Sequence, residues 1–137
     1  MGKALVANAV DKVLVVDDDA AIRETLRLVL EDAGYTVEEA GDGLAALHLL
    51  RAARKPMVVL LDLMMPSLDG AGLLGTVAGD HRLAERFAYV LVTANNKTLP
   101  LAFANLLRNL DVQVVTKPFD VDHLLGIVDQ AARRLAS

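Results

Sequence analysis

The sequence predicts a three-layer, doubly wound α/β fold: a parallel five-stranded sheet covered by helices on both faces. Three observations predict it. Five short apolar runs, rich in β-branched residues, alternate with segments whose apolar residues recur at helical spacing. The central runs are apolar at nearly every position, as strands buried on both faces require. Gly, Pro and Asp stand where these segments meet, at positions that suit turns and helix caps. Right-handed crossovers then give a sheet of order 2-1-3-4-5, the flavodoxin-like arrangement.

The elements follow in order. Val13–Val16 reads as the first strand and ends at Asp17-Asp18-Asp19. Ile22, Leu26, Val29, Leu30 and Ala33 mark the first helix, with Asp18 or Asp19 as its cap and Gly34 as its stop. Tyr35–Ala40 is a more polar second strand, suited to a sheet edge. Asp42-Gly43 opens a second helix carrying Leu44, Leu47 and Leu50, and Pro56 closes the connection. Met57–Leu61 is the third strand and ends at Asp62. Asp69 caps a third helix from about Gly70 to Gly79, weakened by four glycines at up to about 1 kcal/mol each relative to alanine. Asp80–Arg86 reads as a polar connection or a helical extension. Phe87–Val92 is strand four, ending at Thr93. Leu99, Phe103, Leu106, Leu107 and Leu110 give a fourth helix, and Val112–Thr116 a fifth strand ending at Lys117-Pro118. Val121, Leu124, Leu125, Val128 and Leu135 give a fifth helix, capped by Asp120.

Composition excludes several classes. A chain of 137 residues, 54% apolar, suits one folded domain and not a disordered one. The net charge of −4 offers no basic face, so direct nucleic-acid binding is not expected. Without cysteine there is no disulfide framework and no thiolate metal site, which is compatible with a cytoplasmic protein. No apolar stretch reaches membrane-spanning length, and no membrane association is expected. Residues 1–11 read as an N-terminal arm and residues 12–137 as the domain.

In a parallel sheet the carboxyl ends of the strands share one edge, which is where such folds bind ligands. Asp17, Asp18, Asp62, Thr93 and Lys117 would therefore converge. Taken singly, each has a plainer reading: a capping cluster, a turn aspartate, a strand-end hydroxyl, a surface lysine. Their joint placement at consecutive strand ends is what those readings do not predict. Close carboxylates repel, so a compensating charge is needed, from Lys117 and from a hard divalent cation such as Mg²⁺. His48, His81 and His123 do not cluster and read as surface residues.

Val-Leu-Val-Val-Asp-Asp-Asp at 13–19, Leu-Leu-Asp-Leu-Met-Met-Pro-Ser-Leu-Asp-Gly at 60–70, Val-Thr-Ala at 92–94 and Thr-Lys-Pro-Phe at 116–119 resemble the receiver domain of two-component response regulators. The resemblance runs from about Lys12 to Leu135. It implies that Asp62 is the phosphoacceptor, taking a phosphoryl group from a sensor histidine kinase or phosphotransfer protein. It makes Asp18 a direct Mg²⁺ ligand, Asp17 a ligand acting mainly through water, and the Met64 carbonyl a third. Thr93 and Lys117 would bind phosphoryl oxygens, the peptide before Pro118 would be cis, and Met64 and Asn95 would tune hydrolysis. The domain would then be a signalling switch that catalyses only its own phosphorylation and slow dephosphorylation.

The sequence departs from the family at Val114, where an aromatic residue is usual, and in the turn Asn109–Gln113, where a small or glycine-containing one is usual. The stretch between Thr93 and Lys117 is also slightly longer. With no ring at Val114, the output is expected to run through the loop Ala94–Leu99 and the fourth helix. The docking or dimerisation face would be formed by the fourth helix, fifth strand and fifth helix. A stand-alone regulator and a fragment of a longer protein both fit. One competing reading is a small haloacid-dehalogenase-like phosphohydrolase, for which Asp17 and Asp19 have the right spacing but Ala21 does not fit. The other is a receiver fold used as a phosphorylation-independent interaction module. A flavin or dinucleotide site lacks its glycine-rich loop.

Overall fold

Apolar residues on both faces of a strand demand cover on both faces, and the chain supplies it. In the structure, a computed structural model describing residues 10–63, 69–94 and 101–136, the strands are β1 (Lys12–Val16), β2 (Thr36–Ala40), β3 (Met57–Leu61), β4 (Phe87–Thr93) and β5 (Gln113–Thr116). All pair in parallel, in the order β2-β1-β3-β4-β5. The helices are α1 (Ala20–Asp32), α2 (Gly43–Ala52), α3 (Gly70–Ala78), α4 (His81–Arg86), α5 (Leu101–Asn109) and α6 (Val121–Ala136).

Alternation along each strand divides the core into two layers. Leu14, Val16, Met57, Val59, Leu61, Phe87, Tyr89 and Leu91 face α2, α3, α4 and α5. Val13, Val15, Val58, Leu60, Val90, Val92 and Val115 face α1 and α6. All five residues of β3 are buried, as its sequence requires of a central strand, whereas β2 at the edge keeps Thr36 exposed. Val10 is also buried, and the Asp11 carbonyl accepts the Thr36 N–H at 2.8 Å. The last two residues assigned to the arm thus pack against the domain. The remainder of the arm lies outside the described residues.

Helix ends follow local chemistry. Asp19, Asp42, Asp69 and Asp80 each accept backbone N–H groups at a helix start. Asp120 accepts the His123 N–H at 3.1 Å at the start of α6. After α1, Gly34 takes φ 101°, its N–H reaching the Glu31 carbonyl and that of Tyr35 the Leu30 carbonyl. This is the paired closure that a left-handed residue allows. The same closure follows α5, where Asp111 at φ 56° stands in the left-handed position and its carboxylate pairs with Arg134. Aspartate tolerates that conformation better than most residues, so the missing glycine of this turn is replaced in function.

The segment Asp80–Arg86 is neither a connection nor an extension of α3 but a separate helix, making six helices among the described residues where five are predicted. Leu83 is buried, and its carbonyl accepts the Tyr89 hydroxyl of β4 at 2.9 Å. Arg82 and Arg86 donate to the carbonyls of Arg51, in the last turn of α2, and of Ala53 and Arg54 just beyond it. Cations at a helix carboxyl end are favourably placed, and here they come from a distant segment. No helix among the described residues is long and apolar enough to cross a membrane.

Candidate functional site

β1 ends at Asp17 because the ladder continues one step past Val16: the Asp17 N–H reaches the Ala40 carbonyl at 3.1 Å, and the Asp62 N–H the Val16 carbonyl at 3.0 Å. Adjacent strands therefore release Asp17 and Asp62 at the same level of the sheet. One carboxylate oxygen each of Asp17, Asp18 and Asp62 lie within 4.8 Å of one another. Lys117, released at the end of β5, places Nζ 3.0 Å from Asp17 Oδ2 and 3.5 Å from Asp62 Oδ2. Its backbone N–H donates to the Thr93 carbonyl at 2.8 Å, which ties the ends of β4 and β5 together. The Lys117–Pro118 peptide is cis.

Burial singles out this edge. Apart from tyrosines, Asp17 and Thr93 are the two fully buried polar side chains among the described residues. Burying such groups is costly unless they are paired, so a fold optimised for stability alone would place aliphatic residues there. Asp17 Oδ1 accepts the Asp19 N–H at 2.9 Å, and Oδ2 accepts Lys117. Asp18 is exposed and makes no hydrogen bond or ion pair among the described residues. Asp19 performs the capping, accepting the Ala21 and Ile22 N–H groups at 2.9 and 3.4 Å. Asp18 is thereby left available to a ligand. Partial burial works to lower the Lys117 pKa, but the hydrogen bond and charge of Asp17 and the charge of Asp62 outweigh it and hold the ammonium above its ordinary range. Lys117 is a full cation at neutral pH.

The donor set fits a hard divalent cation. Three carboxylates against one ammonium leave a net charge of −2, the donors are oxygens, and Asp18 opens the cluster to solvent. Mg²⁺ accepts a few carboxylate oxygens and fills its octahedron with water or phosphoryl oxygen.

Other expected residues stand elsewhere or beyond view. Val114 is half-buried on β5, opposite Leu91, and packs on the α2–α5 side of the core. Met64, Asn95 and most of the loop Ala94–Leu99 lie outside the described residues. His48, His81 and His123 are exposed and apart from the cluster. Two residues not assigned to the site touch it. The Arg23 guanidinium donates to the Asp17 carbonyl at 2.5 Å. Gly70 donates its N–H to the Leu63 carbonyl at 3.0 Å and lies so close that a Cβ there would meet the Asp62 carbonyl oxygen at 2.3 Å. The Asp-Gly pair at the start of a helix is a sequence signal for such a tight approach; a contact between Arg23 and Asp17 has none.

Comparison with known proteins agrees with this fold. Residues 13–129 match the model of the response regulator receiver domain. Response regulator MprA of Mycobacterium ulcerans is 37% identical over 123 residues, which cover 90% of this chain and 50% of that protein. The Synechocystis DNA-binding dual master transcriptional regulator RpaA is 32% identical over 126 residues, covering 90% and 49%. The chain thus spans about half the length of the curated relatives it matches. Since one of them is named as DNA-binding, the expectation of no nucleic-acid contact finds no support for a protein of that length. A CheY-like receiver domain protein from Methanospirillum hungatei JF-1 superposes with a TM-score of 0.78 at 31% identity, covering 90% of this chain and 95% of that one. The receiver domain of a Francisella response regulator gives 0.78 at 30%, covering 90% and 98%. With the matched family, the relatives and the structural neighbours all receivers or response regulators, the phosphohydrolase reading is not favoured. From the matched span, the relatives and the shared architecture together, the chain belongs to the response regulator receiver domains, signalling modules of two-component systems.

Proposed function

We propose that this domain is a phosphorylation-controlled switch whose acceptor is Asp62. The observation that carries the reading is the meeting of Asp17, Asp18 and Asp62 with Lys117 at the ligand edge of a receiver fold. An Asp62 oxygen attacks the phosphorus of a phosphohistidine on a sensor histidine kinase or phosphotransfer protein. The phosphorus–nitrogen bond breaks as the acyl phosphate forms, and the imidazole leaves. Mg²⁺ held by Asp17, Asp18 and Asp62, with the Met64 carbonyl, would neutralise the carboxylates and the incoming phosphoryl oxygens. Both Asp17 oxygens already accept hydrogen bonds, which supports a water-mediated role, while exposed Asp18 is suited to direct contact. Lys117 would hold a phosphoryl oxygen, and the Thr93 hydroxyl would take another. The chemistry consists of positioning and charge neutralisation. As a receiver working with a histidine kinase, the domain is assigned to the cytoplasm.

Incubation with acetyl phosphate and Mg²⁺ should add one acid-labile phosphoryl group, read by intact mass. The same incubation in EDTA should add none. Equal labelling in EDTA would remove the cation from the mechanism.

We also assign lifetime to Met64 and Asn95. A thioether is too weak an acceptor to orient an attacking water, so dephosphorylation should be slow. Met64→Asn should shorten the half-life of the adduct several-fold in a timed mass assay; an unchanged decay would count against this role.

Output is assigned to the face made by α5, β5 and α6, which would dock a target, an output domain or a second copy. α5 fully buries only Leu107 and exposes Leu101, whereas α6 buries Leu124, Val128, Ala131 and Ala132. Weakly anchored elements are the ones that shift at low cost. Val114 is stiff and has no ring to rotate. Amide exchange with and without beryllofluoride and Mg²⁺ should change between Ala94 and Leu110 and little in β5. Changes confined to the surroundings of Asp18 and Asp62 would overturn the assignment.

A further inference from the structure

β2 leaves the sheet one residue too early to finish the ladder that holds Asp17. The Asp17 N–H pairs with the Ala40 carbonyl, so a continuing parallel ladder would bring the N–H of residue 42 to the Asp17 carbonyl. Asp42 instead turns away to cap α2, accepting the Ala45 N–H at 2.8 Å. The Arg23 guanidinium fills the place. Nη1 donates to the Asp17 carbonyl at 2.5 Å, and Nε donates to Glu39 Oε1 at 2.9 Å. The second Glu39 oxygen accepts Arg27 Nε at 2.6 Å, and Arg27 pairs in turn with Glu31 at 2.8 Å. Hydrogen bonding from Arg27, opposed by partial burial and aided by Arg23, holds the Glu39 pKa below its ordinary value. Glu39 is therefore an anion at neutral pH.

We infer that Arg23 is a positioning residue for the cation site, an α1 side chain that stands in for the missing β2 donor and fixes the Asp17–Asp18 peptide, with Glu39 as its anchor. The inference rests on the Mg²⁺ reading given above. The carbonyl that Arg23 holds belongs to the peptide joining the two acidic residues. Rotation of that peptide would swing the Asp18 carboxylate, which has no other restraint among the described residues, away from Asp17 and Asp62. Partners one bond removed from a metal's ligands set affinity in this way, typically by about 10-fold or more. Arg27 serves as the internal control. It shares Glu39 and is part of the same surface network, yet it does not touch Asp17.

The test is calorimetric titration of Mg²⁺ into the intact chain and its Arg23→Gln, Glu39→Gln, Arg27→Gln and Arg23→Gln/Glu39→Gln variants, with thermal melts in EDTA alongside. Arg23→Gln should weaken Mg²⁺ binding about 10-fold. Glu39→Gln should weaken it in the same direction, and the double variant no further than Arg23→Gln. Arg27→Gln should bind as the wild type does, although its melt falls comparably. Unchanged Mg²⁺ affinity in Arg23→Gln, or equal weakening in Arg27→Gln, would overturn the inference and leave the cation reading standing. A wild type that takes up no Mg²⁺ would overturn both.

Discussion

Asp62→Asn should abolish phosphorylation by acetyl phosphate in Mg²⁺ while leaving the fold intact. The amide keeps the size of the carboxylate but lacks the anionic oxygen that attacks phosphorus. Stability should not fall with activity. In the metal-free domain Asp62 is one of three carboxylates whose oxygens lie within 4.8 Å, and each such pair costs roughly 3 kcal/mol at an effective dielectric near 20. Substitution removes two of these repulsions along with the attraction to Lys117 at 3.5 Å. The melt in EDTA should therefore stay level or rise. This combination separates a chemical role from a structural one, because a misfolded variant would lose both. A full phosphoryl adduct on the Asn variant would move the acceptor elsewhere. An adduct mapped to Asp17 would revive the phosphohydrolase-like reading.

Gly70→Ala should be among the most damaging single-methyl additions in the chain. The new Cβ would lie 2.3 Å from the Asp62 carbonyl oxygen, 2.9 Å from Leu63 Cα and 3.0 Å from the Asp62 carbonyl carbon. All three are backbone atoms, so no side-chain rotation relieves the contact. The strand end or the start of α3 must move instead. Overpacking of this kind costs about 3 kcal/mol, and the melting temperature should fall by about 10 °C. Any displaced copy that still folds carries a shifted Asp62, so its phosphorylation rate in Mg²⁺ should fall as well. Gly75→Ala is the matched control, since nothing lies within 4 Å of its added Cβ. On α3 it should stabilise slightly, by up to about 1 kcal/mol. If both substitutions had the same effect on the melt, close approach at Gly70 would not be the reason for its glycine.

Much of this protein is legible in one dimension because its signals are local. Val-Val and Leu-Leu pairs in short runs specify buried strands. Asp42, Asp69 and Asp120 cap helices through bonds spanning three residues, and Gly34 closes α1 through bonds of similar reach. Once the strands are parallel, their carboxyl ends must share an edge, so Asp17, Asp18, Asp62, Thr93 and Lys117 can be grouped without coordinates. Other features depend on which surfaces meet after the sheet closes. Asp18 and Asp19 are chemically equivalent in the sequence, and only the backbone path at the end of β1 gives the cap to Asp19 and leaves Asp18 exposed. The segment Asp80–Arg86 is ambiguous alone. It becomes α4 because Leu83 finds a buried place under Tyr89, and Arg82 and Arg86 find carbonyls about thirty residues earlier in the chain. Lys117 contacts Asp17 across 100 residues, and Arg23 reaches both Glu39 and the Asp17 carbonyl. Periodicity records which side of an element is buried, because burial repeats with the backbone geometry. A single polar contact between distant elements does not repeat, so it leaves no pattern, and only the packed structure decides it.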